Sequence, residues 1–92
     1  MKKIILEGSQ FTDILTTHKI LKEIFEFPDY YGNNLDAFWD CITDWYVGEK
    51  AKIIWKDFDT SKNNLGEKAD ALLELFQEAE KEYGDFTIEV IP

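Results

Sequence analysis

One cysteine and one histidine are all the thiol and imidazole chemistry that the 92 residues carry. Cys41 alone cannot close an intrachain disulfide, and secreted domains this small usually need several, so the composition points to the cytoplasm. With His18 it also falls short of the three or four nitrogen and sulfur ligands of a zinc site. Long apolar runs are missing as well. Met1-Lys2-Lys3-Ile4-Ile5-Leu6-Glu7 opens like a signal peptide, but offers three apolar residues where a hydrophobic region needs about 7 to 15. No stretch approaches the roughly 20 apolar residues of a membrane span, so no membrane contact is expected. Basic residues are scarce, ten against nineteen acidic, for a net charge of −9. Proteins that bind by neutralising phosphates have the opposite balance, which excludes nucleic acid as a direct ligand.

Apolar residues make up 45% of the chain and aromatics 15%, enough to offset conformational entropy in a folded globule. The length suits one domain spanning residues 1–92, with a small core and a net stability of only a few kcal/mol. Residues 2–6 form a short β-rich run, broken by Gly8, Ser9 and Gln10. From Phe11 to Phe25 the positions of Ile14, Leu15, Ile20, Leu21, Ile24 and Phe25 fit a helix, although Thr16-Thr17-His18 interrupts the period. Pro28 and Gly32 end it, with Gly32 suited to positive φ, and Asn33 or Asn34 can cap the next helix. That helix is expected over residues 35–45, with Leu35, Phe38, Ile42 and Trp45 as its inner stripe. A strand at 51–56, a polar connection at 57–66, a helix at 67–83 closed by Gly84, and a strand at 86–91 complete the order. The inner face of that last helix is read as Leu72, Leu73, Phe76, Ala79 and Tyr83.

Strands separated by helices imply a parallel sheet, and alternation in the strands implies that one of its faces is wet. The expected architecture is α/β in two layers, a three-stranded parallel sheet of order 1-2-3 with all helices on one face. No linker, repeat or low-complexity tract is evident.

Residues 23–49 stand apart. They hold seven carboxylates and no lysine or arginine, where the chain average would place about three, and eight of the fourteen aromatics, among them Tyr46. At 100° per residue, Asp36, Asp40 and Asp44 share an exposed helix face, and Trp39 sits at its border with the core. Such a row opposes itself at about 0.2–0.5 kcal/mol per i,i+4 pair, and its last member opposes the helix dipole. Acids that merely solvate a helix usually have basic neighbours. Here those are absent, and Tyr30 and Tyr31 lie just upstream in a turn, so the window reads as a docking surface for something strongly basic.

Other groupings carry less. Glu74, Glu78 and Glu82 repeat at i,i+4, either as solvated helix surface or as a second acidic ridge. Asp57 to Asn63 begins like a calcium loop but has Lys62 and Lys68 where glycine and glutamate belong, so no metal is expected. Cys41 lies beside the core stripe as a small hydrophobe, and nothing around it suggests a low-pKa thiol paired with His18. Asp36 and Asp40 on a convex helix face lack the cleft that acid–base catalysis needs. No catalytic residues and no cofactors are expected, and the chain is read as no enzyme.

The segment Pro28-Asp29-Tyr30-Tyr31-Gly32-Asn33-Asn34-Leu35-Asp36-Ala37-Phe38-Trp39-Asp40-Cys41 resembles the signature of the barstar family, intracellular inhibitors of barnase-type ribonucleases. Weaker similarity extends over Trp55, Phe76-Gln77-Glu78-Ala79 and the strand after Gly84. The resemblance implies a barstar-like fold and an acidic helix that plugs a basic ribonuclease active site as a mimic of RNA. By that implication Asp40 takes the place of the scissile phosphate, Asp36 pairs with another cation, and Tyr30 covers the catalytic histidine. Trp39 and Trp45 flank the contact, Glu78 is peripheral, and Tyr31, Gly32, Asn34, Leu35, Thr43 and Asp44 complete the partner-binding set. The implied protein is a monomer when free and pairs 1:1 with its target. Two departures stand out: Asp44 replaces a glycine, and one extra residue follows Trp45 before the second strand. The alternative reading is an acidic module for a basic partner that is no nuclease.

Overall fold

The computed structural model describes residues 1–45 and 48–92; Tyr46 lies outside them. Its elements are β1 (Lys2–Glu7), a 3-10 turn (Gly8–Gln10), α1 (Ile14–Phe25), α2 (Leu35–Thr43), β2 (Ala51–Lys56), α3 (Phe58–Leu65), α4 (Glu67–Tyr83) and β3 (Phe86–Val90). The strands form one parallel sheet of order β1-β2-β3, with Ile4, Ile53 and Ile88 in one row and Leu6, Trp55 and Val90 in the next. Ile4, Leu6, Ala51, Ile53, Trp55 and Phe86 turn into the core with the helices. On the other face Lys3, Lys52 and Thr87 are in register, and Lys52 reaches Glu89 at 3.6 Å. The architecture is the two-layer one expected from the strand alternation.

An aromatic cluster ties the layers together. Phe76 of α4 lies with its ring centroid 4.9 Å from Phe38 of α2 and about equally far, 6.1 to 6.3 Å, from Phe25, Trp55 and Phe86. The tilted and edge-on packing of these rings is the arrangement their quadrupoles favour. Glu80, on the same helix, accepts the Ile88 N–H of β3 at 2.7 Å.

Several expectations are corrected. α1 starts at Ile14, because Asp13 accepts the Thr16 N–H at 2.7 Å as N-cap, while Phe11 is already buried ahead of it. Thr17 and His18, which blur the apolar period, are buried, whereas Leu15 and Ile24 are exposed. The positive φ after Pro28 falls on Asn33, not Gly32, and Asn34 is the cap of α2. α2 stops at Thr43, two residues early, and Asp44 is its C-cap. In α4, whose bounds and αL Gly84 are as read from the sequence, Ala69 joins the inner face and Tyr83 leaves it. β3 ends at Val90, one residue early.

The largest correction is α3, in place of a polar connection. Phe58 packs edge-on to Trp55 at 4.8 Å and Leu65 lies against the core, and between them a serine docks the helix. The Ser61 hydroxyl, fully buried, accepts the Trp55 indole N–H at 3.0 Å and donates to the Gly8 carbonyl at 2.9 Å. Asn64 adds a hydrogen bond to the Phe11 carbonyl at 3.2 Å. Asp57 to Asn63, which begins like a calcium loop, is therefore mostly helix, and among the described residues no three His, Cys, Asp or Glu side chains stand where they could hold a metal.

Candidate functional site

α2 begins where Asn34 accepts the Ala37 N–H at 2.8 Å and donates to the Gly32 carbonyl at 3.2 Å. These bonds fix the angle at which the chain enters the helix. Phe38 and Ile42 anchor its inner face, which leaves Asp36, Asp40 and Asp44 exposed on successive turns. At the far end the Thr43 hydroxyl donates to the Trp39 carbonyl at 2.8 Å. None of the three aspartates forms an ion pair among the described residues.

Two depressions flank this ridge, and Asp40 borders both. The wider, about 610 Å³, lies between α2 and α4. Leu35, Trp39, Ala71 and Leu75 supply its apolar lining and Asp36, Asp40, Glu74 and Glu78 its carboxylates. Trp39 is half-buried there, its ring edge-on to the exposed Tyr83 at 6.5 Å. The narrower, about 400 Å³, lies between α2 and the segment that follows α1; Phe25, Phe27, Tyr30 and Trp45 form its walls and Glu26, Asp40 and Asp44 its charges. Trp45 is set by an edge-on contact with Phe25 at 4.9 Å. No lysine lines either depression.

The two tyrosines part ways. Tyr30 is 86% exposed, while Tyr31, placed beside it in the docking turn by the sequence, is 5% exposed. Tyr31 shares a 2.6 Å hydrogen bond with His18 Nδ1 beneath the turn. Burial, and after it the neighbouring Cys41 sulfur, holds the Tyr31 hydroxyl well above its ordinary pKa; burial, and after it Lys68, pushes His18 below its own. The pair is thus neutral, a phenol and an imidazole bracing the turn that presents Tyr30. His18 is engaged with Tyr31, and half-buried Cys41 is pushed up in pKa by burial and then by Asp40 and Asp44, the reverse of an activated thiol.

Of the residues singled out in the sequence, Tyr30, Leu35, Asp36, Trp39, Asp40, Asp44, Trp45 and Glu78 are brought together around the two depressions. Gly32, Asn34 and Thr43 border neither; Asn34 and Thr43 bond to the helix backbone at its two ends. Of the acidic ridge on α4, Glu74 and Glu78 join the site and Glu82 does not. Glu26 joins it unforeseen; its only signal was membership of the lysine-free window. Chemically, the site offers carboxylates for charge-assisted hydrogen bonds and aromatic rings for stacking, a combination suited to guanidinium and ammonium groups.

The sequence matches the family described as Barstar (barnase inhibitor) over residues 1–91. It is 47% identical over 85 residues, 92% of each chain, to YrdF of Bacillus subtilis (strain 168), a provisional ribonuclease inhibitor by name. Among the described residues no helix is long and apolar enough to cross a membrane.

Proposed function

The chain belongs to the barstar family, and from that premise we propose that it inhibits a ribonuclease of the barnase type by occluding its active site, without chemistry of its own. The observation that carries the reading is the Asp36, Asp40 and Asp44 row, without an ion pair among the described residues, between two aromatic-lined depressions that no described lysine lines. A ribonuclease site is built from cations that hold phosphate oxygens. A carboxylate row meets those cations with charge-assisted hydrogen bonds, so α2 stands in for the RNA backbone, and its field speeds encounter at low salt. Asp40, on the crest between the depressions, takes the central position; Tyr30 and Trp45 cover one side, Trp39 and Leu35 the other. Binding is 1:1, in the cytoplasm.

The test is titration of the protein into a barnase-type ribonuclease assay beside Asp40→Ala and Glu78→Ala. Stoichiometric inhibition is expected from the unmodified chain. Asp40→Ala should weaken it at least about 100-fold, because it leaves desolvated cations unpaired. Glu78→Ala, on the rim, should cost about fivefold or less, because water and salt screen it. Equal small losses would overturn the assignment of Asp40. No inhibition at all would turn the search to a basic partner that is no nuclease.

A further inference from the structure

We propose that the narrower depression receives an arginine side chain of the inhibited ribonuclease, and that Asp44 with Glu26 thereby determines which ribonucleases the protein accepts; the inference rests on the functional reading above. The depression carries three carboxylates, Glu26, Asp40 and Asp44, around the rings of Tyr30, Phe27 and Trp45. None of the three is ion-paired among the described residues. Among the described residues no three acidic side chains stand where they could hold a metal ion. An organic cation with several donors can span such a set where a point charge cannot.

The rings favour arginine over lysine. A guanidinium is planar and weakly hydrated, stacks on aromatic faces and forks onto carboxylates, whereas an ammonium is compact and holds its water. Asp40 borders both depressions, so its oxygens are shared with whatever fills the wider one. A second cation on the Tyr30 side must find its partners in Asp44 and Glu26. Asp44 sits at the C-cap of α2, where a carboxylate opposes the helix dipole, with Asp40 one turn behind. Burial, and after it the same two charges, push up the neighbouring Cys41 thiol. Nothing within the described residues compensates this placement, and a cation from outside does.

The experiment extends the titration above to Asp44→Asn, Glu26→Gln and their double variant, with Glu7→Gln, exposed and lining neither depression, as a control of equal charge change. Each single variant should raise Kd about 10-fold and Glu7→Gln less than about twofold. The double variant should cost less than the product of the singles, because both serve one cation. Alanine replacement of the ribonuclease arginines should find one whose loss makes Asp44→Asn nearly silent. If Asp44→Asn and Glu26→Gln match the control, or couple to no arginine, the inference is overturned while inhibition and the role of Asp40 stand. If the unmodified chain does not inhibit, the functional reading and this inference fall together.

Discussion

His18 and Gly8 show how much single residues hold in a small core. The imidazole is kept neutral by burial, so between its folded pKa and its ordinary value of 6.5 the unfolded chain binds a proton that the folded one refuses. Stability is therefore full above about pH 6.5 and falls as the pH drops below it. Urea midpoints at pH 7.5 and 5.5 should differ, and His18→Gln should shrink the difference; an unchanged difference would remove His18 as its cause. Asp13 does not interfere in this range. The Thr16 N–H and then its hydroxyl hold its pKa below 3.8, so its contribution is lost only at lower pH. Gly8 is fixed by space. A Cβ there would lie 2.2 Å from the Lys56 carbonyl oxygen and 2.5 Å from Ser61 Oγ. Gly8→Ala should destabilise by about 2 kcal/mol, read as a lowered urea midpoint, through displacement of the Lys56 backbone and of the serine that docks α3.

At the scale of elements, α2 trades its own stability for its face. Asp44→Asn removes a like-charge neighbour and a carboxylate from the negative end of the helix, and should stabilise the protein by about 0.5 kcal/mol, or some 2–4 °C in Tm. A melt shows the gain, and the titration of the same variant shows the loss of inhibition. α2, α4 and the strands were legible in the sequence because their inner residues are apolar at regular spacing: Phe38 and Ile42, Leu72, Phe76 and Ala79, Ile53 and Trp55. α3 was not, since between Phe58 and Leu65 at its ends the residues that dock it, Ser61 and Asn64, are polar. α1 was blurred for the same reason, its buried Thr17 and His18 being polar residues satisfied by partners the sequence does not display. The acidic row of α2 could be read from spacing alone. Its pairing with Glu74 and Glu78, and the entry of Glu26, depend on how α4 and the turn after α1 pack, which no local pattern states. Tyr31 illustrates the limit, because adjacent tyrosines in a turn look alike until one finds a histidine underneath.

Over the whole molecule the charge is divided. Lys2, Lys3, Lys52 and Lys56 lie on β1 and β2, while residues 23–49 have no lysine. The division gives the net −9 a direction, so that a cationic partner is drawn toward α2 and the turn of Tyr30 rather than toward the sheet. The sheet has its own exposure to manage. A border strand leaves backbone amides open to any other strand that drifts alongside, and such open rows seed clumping. On β3 the Ile88 amide is already taken by Glu80. A second strand arriving there meets an occupied donor and a negative charge. The carboxylate that stitches α4 to the sheet thus also acts as a guard rail, helping a small acidic protein to stay dispersed.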